Sequence, residues 1–186
     1  MNIFVLDNDA ATSARMMCDK HVVKMILESC QLLSTAHHVL DGDSLYVNTG
    51  KRKYKTYICT KKNICKATMV NHPCTIWTRE TRSNYIWLWR HAYALCKEYT
   101  RRYNKVHAME QMLMDELYDP PLNIAKGKIT PFAQAMPDQY KDENAVVAYR
   151  KYYINEKVRF AKWNYSEEPE WFSKKVFSLS EEYLPF

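Results

Sequence analysis

The sequence predicts an all-α fold: a single compact domain of about five or six helices with one long Pro-rich loop. Three observations carry this. Glycine is scarce, 3 in 186 residues, which leaves little for a β fold punctuated by tight turns. Apolar residues make up 47% of the chain and recur at helical spacing in two long runs, 19–40 and 84–103. Prolines cluster at 120, 121, 131 and 137, which breaks helix there and marks residues 120–141 as mostly loop. No internal repeat and no linker divides the chain, so 1–186 reads as one domain with its own core.

Taken in order, the apolar stretch 1–7 predicts a short buried strand or an extended arm. Asn8 or Asp9 caps a short helix over Ala10–Met17, and Asp19 is expected to cap the central helix, Asp19–Leu40. Val22, Ile26, Leu33 and Leu40 form its apolar stripe. A turn follows at Asp41–Ser44. Residues 46–66 carry Lys51, Arg52, Lys53, Lys55, Lys61, Lys62 and Lys66 with Tyr54 and Tyr57 between them and no acidic residue. That run reads as a solvated loop or hairpin, or as a loop that contacts phosphates and stacks bases. Pro73 sits at a first helical position, and a short helix runs from there to Arg82. Ser83 is expected to cap the next helix, whose core stripe is Tyr85, Leu88, Ala92, Leu95, Tyr99 and Tyr103. Met-rich residues 108–117 form a shorter helix. Asp142 or Asn144 starts the last one, with Val147, Ile154 and Val158 on one face, before a C-terminal tail over 164–186.

Charge and cysteine content narrow the function classes. The net charge is +6, which is compatible with nucleic acid without requiring it. Six cysteines lack CxxC spacing, and a secreted disulfide scaffold would be shorter and richer in Gly and Pro. Free thiols in a reducing compartment, cytoplasmic or nuclear, are expected. The chain shows no signal peptide and no membrane span. No HExxH, CxxC or Walker-type run is present, so neither a metal nor a cofactor is expected.

One row of residues remains. On the central helix His21, Lys24, Glu28, Gln31, Thr35 and His38 step by three and four, polar from end to end. Such a row is either the solvated face of a core helix, with Lys24 and Glu28 an ordinary helix pair, or the acid, base and donor wall of a site.

The run Asp19-Lys20-His21, followed after six residues by Glu28, resembles the Asp-Gln-His…Glu helix of the pyrimidine-dimer DNA glycosylases, the small all-α viral repair enzymes of the T4 endonuclease V type. His72 leading into the aromatic, Arg-containing helix 84–103 is a further parallel, as are Pro137-Asp138-Gln139-Tyr140, Asn155-Glu156-Lys157 and Pro169-Glu170-Trp171-Phe172. The resemblance implies base excision from duplex DNA by a monomer. In that family an N-terminal amine attacks C1′ of the damaged nucleotide, an imine forms, and a Glu assists both this step and strand cleavage. By matching position, Glu28 is that Glu, His21 lines the site and Lys157 contacts DNA. Asn2 is too large for ready removal of Met1, so the amine is expected to be that of Met1. Lys20, Lys24, Lys53, Lys55 and Arg79 are the other candidate substrate contacts. Two family arginines flanking the Glu are Leu27 and Gln31 here, which implies a different lesion or base. Two alternatives stand beside this reading: a non-catalytic nucleic-acid-binding protein on the same scaffold, and a transferase or hydrolase acting on a nucleotide-like small molecule.

Overall fold

The computed structural model describes residues 1–51 and 53–173; Arg52 and the part of the expected tail at 174–186 lie outside the described residues. Among the described residues the elements are, in order, α1 (Ala10–Arg15), α2 (Asp19–Leu40), β1 (Asp43–Asn48), β2 (Lys53–Ile58), α3 (Pro73–Glu80), α4 (Arg82–Tyr103), α5 (Glu110–Asp115) and α6 (Ala145–Lys157), with residues 170–173 again helical. A single 3₁₀ turn, Asp138–Tyr140, interrupts the Pro-rich loop. The fold is thus mostly, not purely, α. The basic run, read as a loop or hairpin, is in part an antiparallel ribbon, with Tyr46 opposite Lys55. None of the described helices is long and apolar enough to cross a membrane, and all six cysteines are unpaired.

α2 is the central element. It packs on α4 and α3, and its stripe Val22, Ile26 and Leu33 is fully buried. The opposite row is buried too at His21, Thr35 and His38, so it is not a solvated face. The N-terminal stretch 2–6 is a buried extended arm. α6 closes over it: Arg150 Nε donates to the Leu6 carbonyl at 2.9 Å and the Tyr149 hydroxyl donates to the Ala133 carbonyl at 2.7 Å. The face α6 buries is aromatic, Tyr149 and Tyr153, whereas Val147 and Val158 are exposed. The aliphatic face read from the sequence is therefore only partly the packed one, because two tyrosines supply more apolar area than two valines.

Two caps differ from expectation. Asp9 caps α1, Asn144 caps α6 and His72 caps α3, with Pro73 first in that helix. Asp19, however, is the first residue of α2, not its cap, and Thr81 caps α4 in place of Ser83. Asp19 is drawn off by Arg102, whose Nη1 donates to Asp19 Oδ1 at 3.0 Å and to the Met17 carbonyl at 2.9 Å. Arg102 Nη2 donates to the Arg15 carbonyl and Nε to Glu98 Oε2 at 3.1 Å. The other Asp19 oxygen accepts the Asn164 N–H at 2.7 Å. One buried guanidinium thus ties the α1–α2 junction to α4, while Asp19 adds the segment after α6.

Three buried histidines make stability depend on pH. Burial pushes His21 and His91 down to about 3 and His37 to about 4, from an ordinary 6.5. Nearby Lys157 and Lys24 add to the effect at His21. Because folding lowers these values, the unfolded chain binds protons first and stability rises with pH. Stability is expected to be full above pH 6.5 and to be lost as pH falls through the window from 6.5 towards 3. At pH 5 the loss is roughly 2 kcal/mol per histidine, a large share of a typical domain's stability. Melting temperatures measured between pH 7.5 and 5 check this; a flat profile would contradict it.

Candidate active site

The site is built where the N-terminal arm crosses the first half of α2. Asn2 is the anchor. Its side chain is buried, with Oδ1 accepting the N–H groups of Ile3 at 2.8 Å and Phe4 at 3.3 Å, and Nδ2 donating to the Ala135 carbonyl at 2.8 Å. This local turn forces Phe4 to a left-handed φ of 43°, a strained conformation for a bulky residue. The Asn2 backbone N–H then points at α2 and donates to Glu28 Oε2 at 3.1 Å. Glu28 Oε1 pairs with Lys24 Nζ at 3.1 Å. The pair is an i,i+4 helix pair, and its carboxylate also touches the backbone beside the chain terminus. Lys24 is mostly exposed, so the pair itself adds little stability.

Among the described residues no ion pair joins the Met1 amine to Glu28; the backbone nitrogen that touches the carboxylate is that of Asn2. Standard covalent geometry puts the Met1 nitrogen within roughly 7 Å of the same carboxylate oxygen. Met1 and Glu28 are both partly exposed. His72 borders this corner: its imidazole is lowered by burial and by the Met1 amine, with Glu28 opposing. Its Nδ1 accepts the Cys74 N–H at 3.2 Å, which leaves the ring proton on Nε2.

His21 forms the inner wall. The Tyr153 hydroxyl lies 2.7 Å from its Nδ1 and accepts the Cys18 N–H at 3.1 Å. Burial holds Tyr153 well above the usual phenol range, so it keeps its proton. That hydroxyl also reaches Cys18 Sγ at 3.2 Å; where its proton is directed at Nδ1, the neutral His21 ring carries its own proton on Nε2. It lies against Phe4, with ring centroids 4.4 Å apart. A ring so held is a fixed donor at neutral pH rather than an acid–base shuttle.

Lys157, at the end of α6, donates to the Tyr152 hydroxyl at 3.1 Å and sits 4.4 Å from the Tyr152 ring centre and 5.9 Å from that of Phe4. Two aromatic faces thus hold this ammonium beside His21. Lys20 is exposed, over Phe160 at 5.5 Å. Arg79 is directed elsewhere, donating to the Val70 carbonyl at 2.7 Å. Lys53 and Lys55 lie on β2, away from this corner.

The structure therefore gathers Met1, His21, Lys24, Glu28 and Lys157 in one place. Arg79, Lys53 and Lys55 form a separate region. The distal half of the polar row is consumed structurally. Thr35 accepts the Thr68 N–H at 3.1 Å, and His38 holds Cys59 N–H on Nδ1 and the Cys65 carbonyl on Nε2. Sequence reading assigned no site role to Asn2, Phe4, Tyr152 or Tyr153, and marked His72 only as a family parallel leading into the helix 84–103. The Asn2 turn alone had a local signal, an Asn directly before an apolar run.

A sequence model of the pyrimidine dimer DNA glycosylases matches residues 1–111, more than half of the chain. This protein belongs to the pyrimidine dimer DNA glycosylase family. Membership gives it a DNA glycosylase-type function with DNA as the substrate. The match spans the N-terminal arm and α1 to α4, so it includes Glu28 and His21 but not Lys157. No curated protein and no solved structure matches the chain.

Proposed function

We propose that the chain excises a damaged or modified pyrimidine from duplex DNA through an imine formed by its N-terminal amine, with Glu28 handling the protons. The observation that supports this reading most is the 3.1 Å contact between the Asn2 nitrogen and Glu28. The amine lone pair attacks C1′ of the flipped nucleotide, and the C1′–N bond breaks. The base leaves with that electron pair and takes a proton. The amine gives up its proton to the Glu28 carboxylate, and opening of the sugar ring yields the C1′ imine. Removal of a C2′ proton then expels the 3′ phosphate. An α-amino group suits the first step because its unperturbed pKa is the lowest of the protein's amines.

The nitrogen at work is that of the mature N-terminus. With Met1 retained, its amine must close a gap of a few Å to reach the carboxylate. With Met1 removed, the Asn2 nitrogen is itself the amine and already touches it. His21 donates from Nε2 to the substrate, and Lys157, Lys24 and Lys20 meet the phosphates around the extruded nucleotide. Arg79, Lys53 and Lys55 contact the duplex further out.

The test is incubation with ultraviolet-irradiated and base-modified duplexes. Base release and strand breaks confined to lesions are expected. Tight binding without release would instead favour a non-catalytic binder. Saturation by mononucleotides with little affinity for duplex would favour a small-molecule transferase or hydrolase.

A further inference from the structure

The ribbon β1–β2 has two different faces. The register puts Ser44 opposite Tyr57, Tyr46 opposite Lys55 and Asn48 opposite Lys53, so these six side chains share one side. The other side carries Asp43, Leu45, Val47, Tyr54, Thr56 and Ile58. The first side holds two ammonium groups and two phenols and no carboxylate. It points outward: Ser44, Tyr46, Asn48, Lys53 and Lys55 are all exposed, and Tyr46 is 78% exposed. Lys55 Nζ lies 5.3 Å from the Tyr57 ring centre. Tyr46 thus presents an open aromatic face beside two ammonium groups.

The ribbon is also aimed. An isolated hairpin is marginal, so its direction depends on its base. His38 of α2 clamps Cys59 at the end of β2, and Gly42 at the start of β1 packs so closely that a Cβ there would lie 2.3 Å from the Ile58 carbonyl oxygen. His38 stands on the same row of α2 as Glu28, roughly 15 Å along the axis. Arg79 holds the loop that leads to His72 through the Val70 carbonyl.

We infer that the outward face of the ribbon is a second contact to the duplex backbone, away from the reacting sugar. Lys53 and Lys55 neutralise phosphates, and Tyr46 packs on the sugar edge of the groove between them. A two-stranded ribbon is of a size that a DNA groove admits. The inference rests on the excision reading for its substrate, but it concerns binding and not chemistry.

The experiment compares duplex binding by the full-length wild type and by the triple variant Y46A/K53Q/K55Q across a salt series, with a thermal melt to verify folding. Each phosphate contact steepens the log–log salt slope by about 0.9, so the variant slope is expected to be flatter by about two. Its affinity at low salt is expected to fall on the order of tenfold or more, and K53R/K55R is expected to keep the wild-type slope. Trimming the duplex on the flank that meets the ribbon should weaken the wild type and leave the variant unchanged. A variant with the wild-type slope and the wild-type trimming profile overturns the inference. Lesion processing together with an unchanged variant slope removes the ribbon contact and leaves excision standing. A ribbon-dependent slope without lesion processing supports the ribbon contact and removes the excision reading. A wild type that binds no duplex overturns both.

Discussion

Glu28→Gln is expected to lower the single-turnover rate of base release by about 10²–10⁴-fold, the range seen when a positioned acid or base is removed. The substitution is nearly isosteric. The amide oxygen of Gln still accepts the Asn2 N–H, so the arm stays on α2. What is lost is the charge that takes the amine's proton and, with it, the Lys24 pair, worth a few tenths of a kcal/mol on a helix surface. Melting temperature should therefore hardly move while turnover collapses. Rapid-quench measurement of released base beside a thermal melt separates the two. An unchanged rate would remove Glu28 from the chemistry.

Arg102→Met is expected to be the most damaging single change to the fold, by about 3–5 kcal/mol. The guanidinium is completely buried and serves two carboxylates and two carbonyls at once. Its removal leaves Asp19 a buried charge without its cation at the α1–α2 junction, and leaves Glu98 on α4 with Arg101 alone. For a domain of this size that corresponds to a fall in melting temperature of roughly 6–20 °C. Activity well below the melt should persist, because Arg102 makes no contact with Glu28 or His21. A shift of less than about 1 kcal/mol would show that water reaches the triad and already compensates it.

The two long helices were legible because their signals are local. The α4 stripe Tyr85, Leu88, Ala92 and Leu95 is fully buried as its spacing requires, and Pro73 opens α3 as its missing N–H predicts. What could not be read depends on partners far along the chain. Asp19 has the chemistry of a cap, yet a guanidinium 83 residues away takes its carboxylate. The alternation Ser44-Leu45-Tyr46-Val47-Asn48 was present but short, and the lysines of β2 hid it within a charged run. The site divides the same way. The His21–Glu28 interval marked one wall of it, since both lie on one helix. The opposite wall comes from Asn2, Phe4, Tyr152 and Tyr153, which only the packing of the arm and α6 on α2 brings there. The polar row was neither wholly solvated nor wholly functional. Its first half faces the arm, and its second half pins the chain around the ribbon.

The central claim is that the N-terminal amine and Glu28 act together on a deoxyribose carbon. Borohydride trapping on lesion-bearing duplex, followed by proteolysis and mass measurement of the adducted peptide, tests this most directly. The account predicts that the reduced sugar is carried on the α-nitrogen of the peptide ending at Arg15, whether that peptide begins with Met1 or Asn2, and that the Glu28→Gln protein gives little adduct. An adduct on Lys20, Lys24 or Lys157, or base release with no trapped adduct, would contradict it.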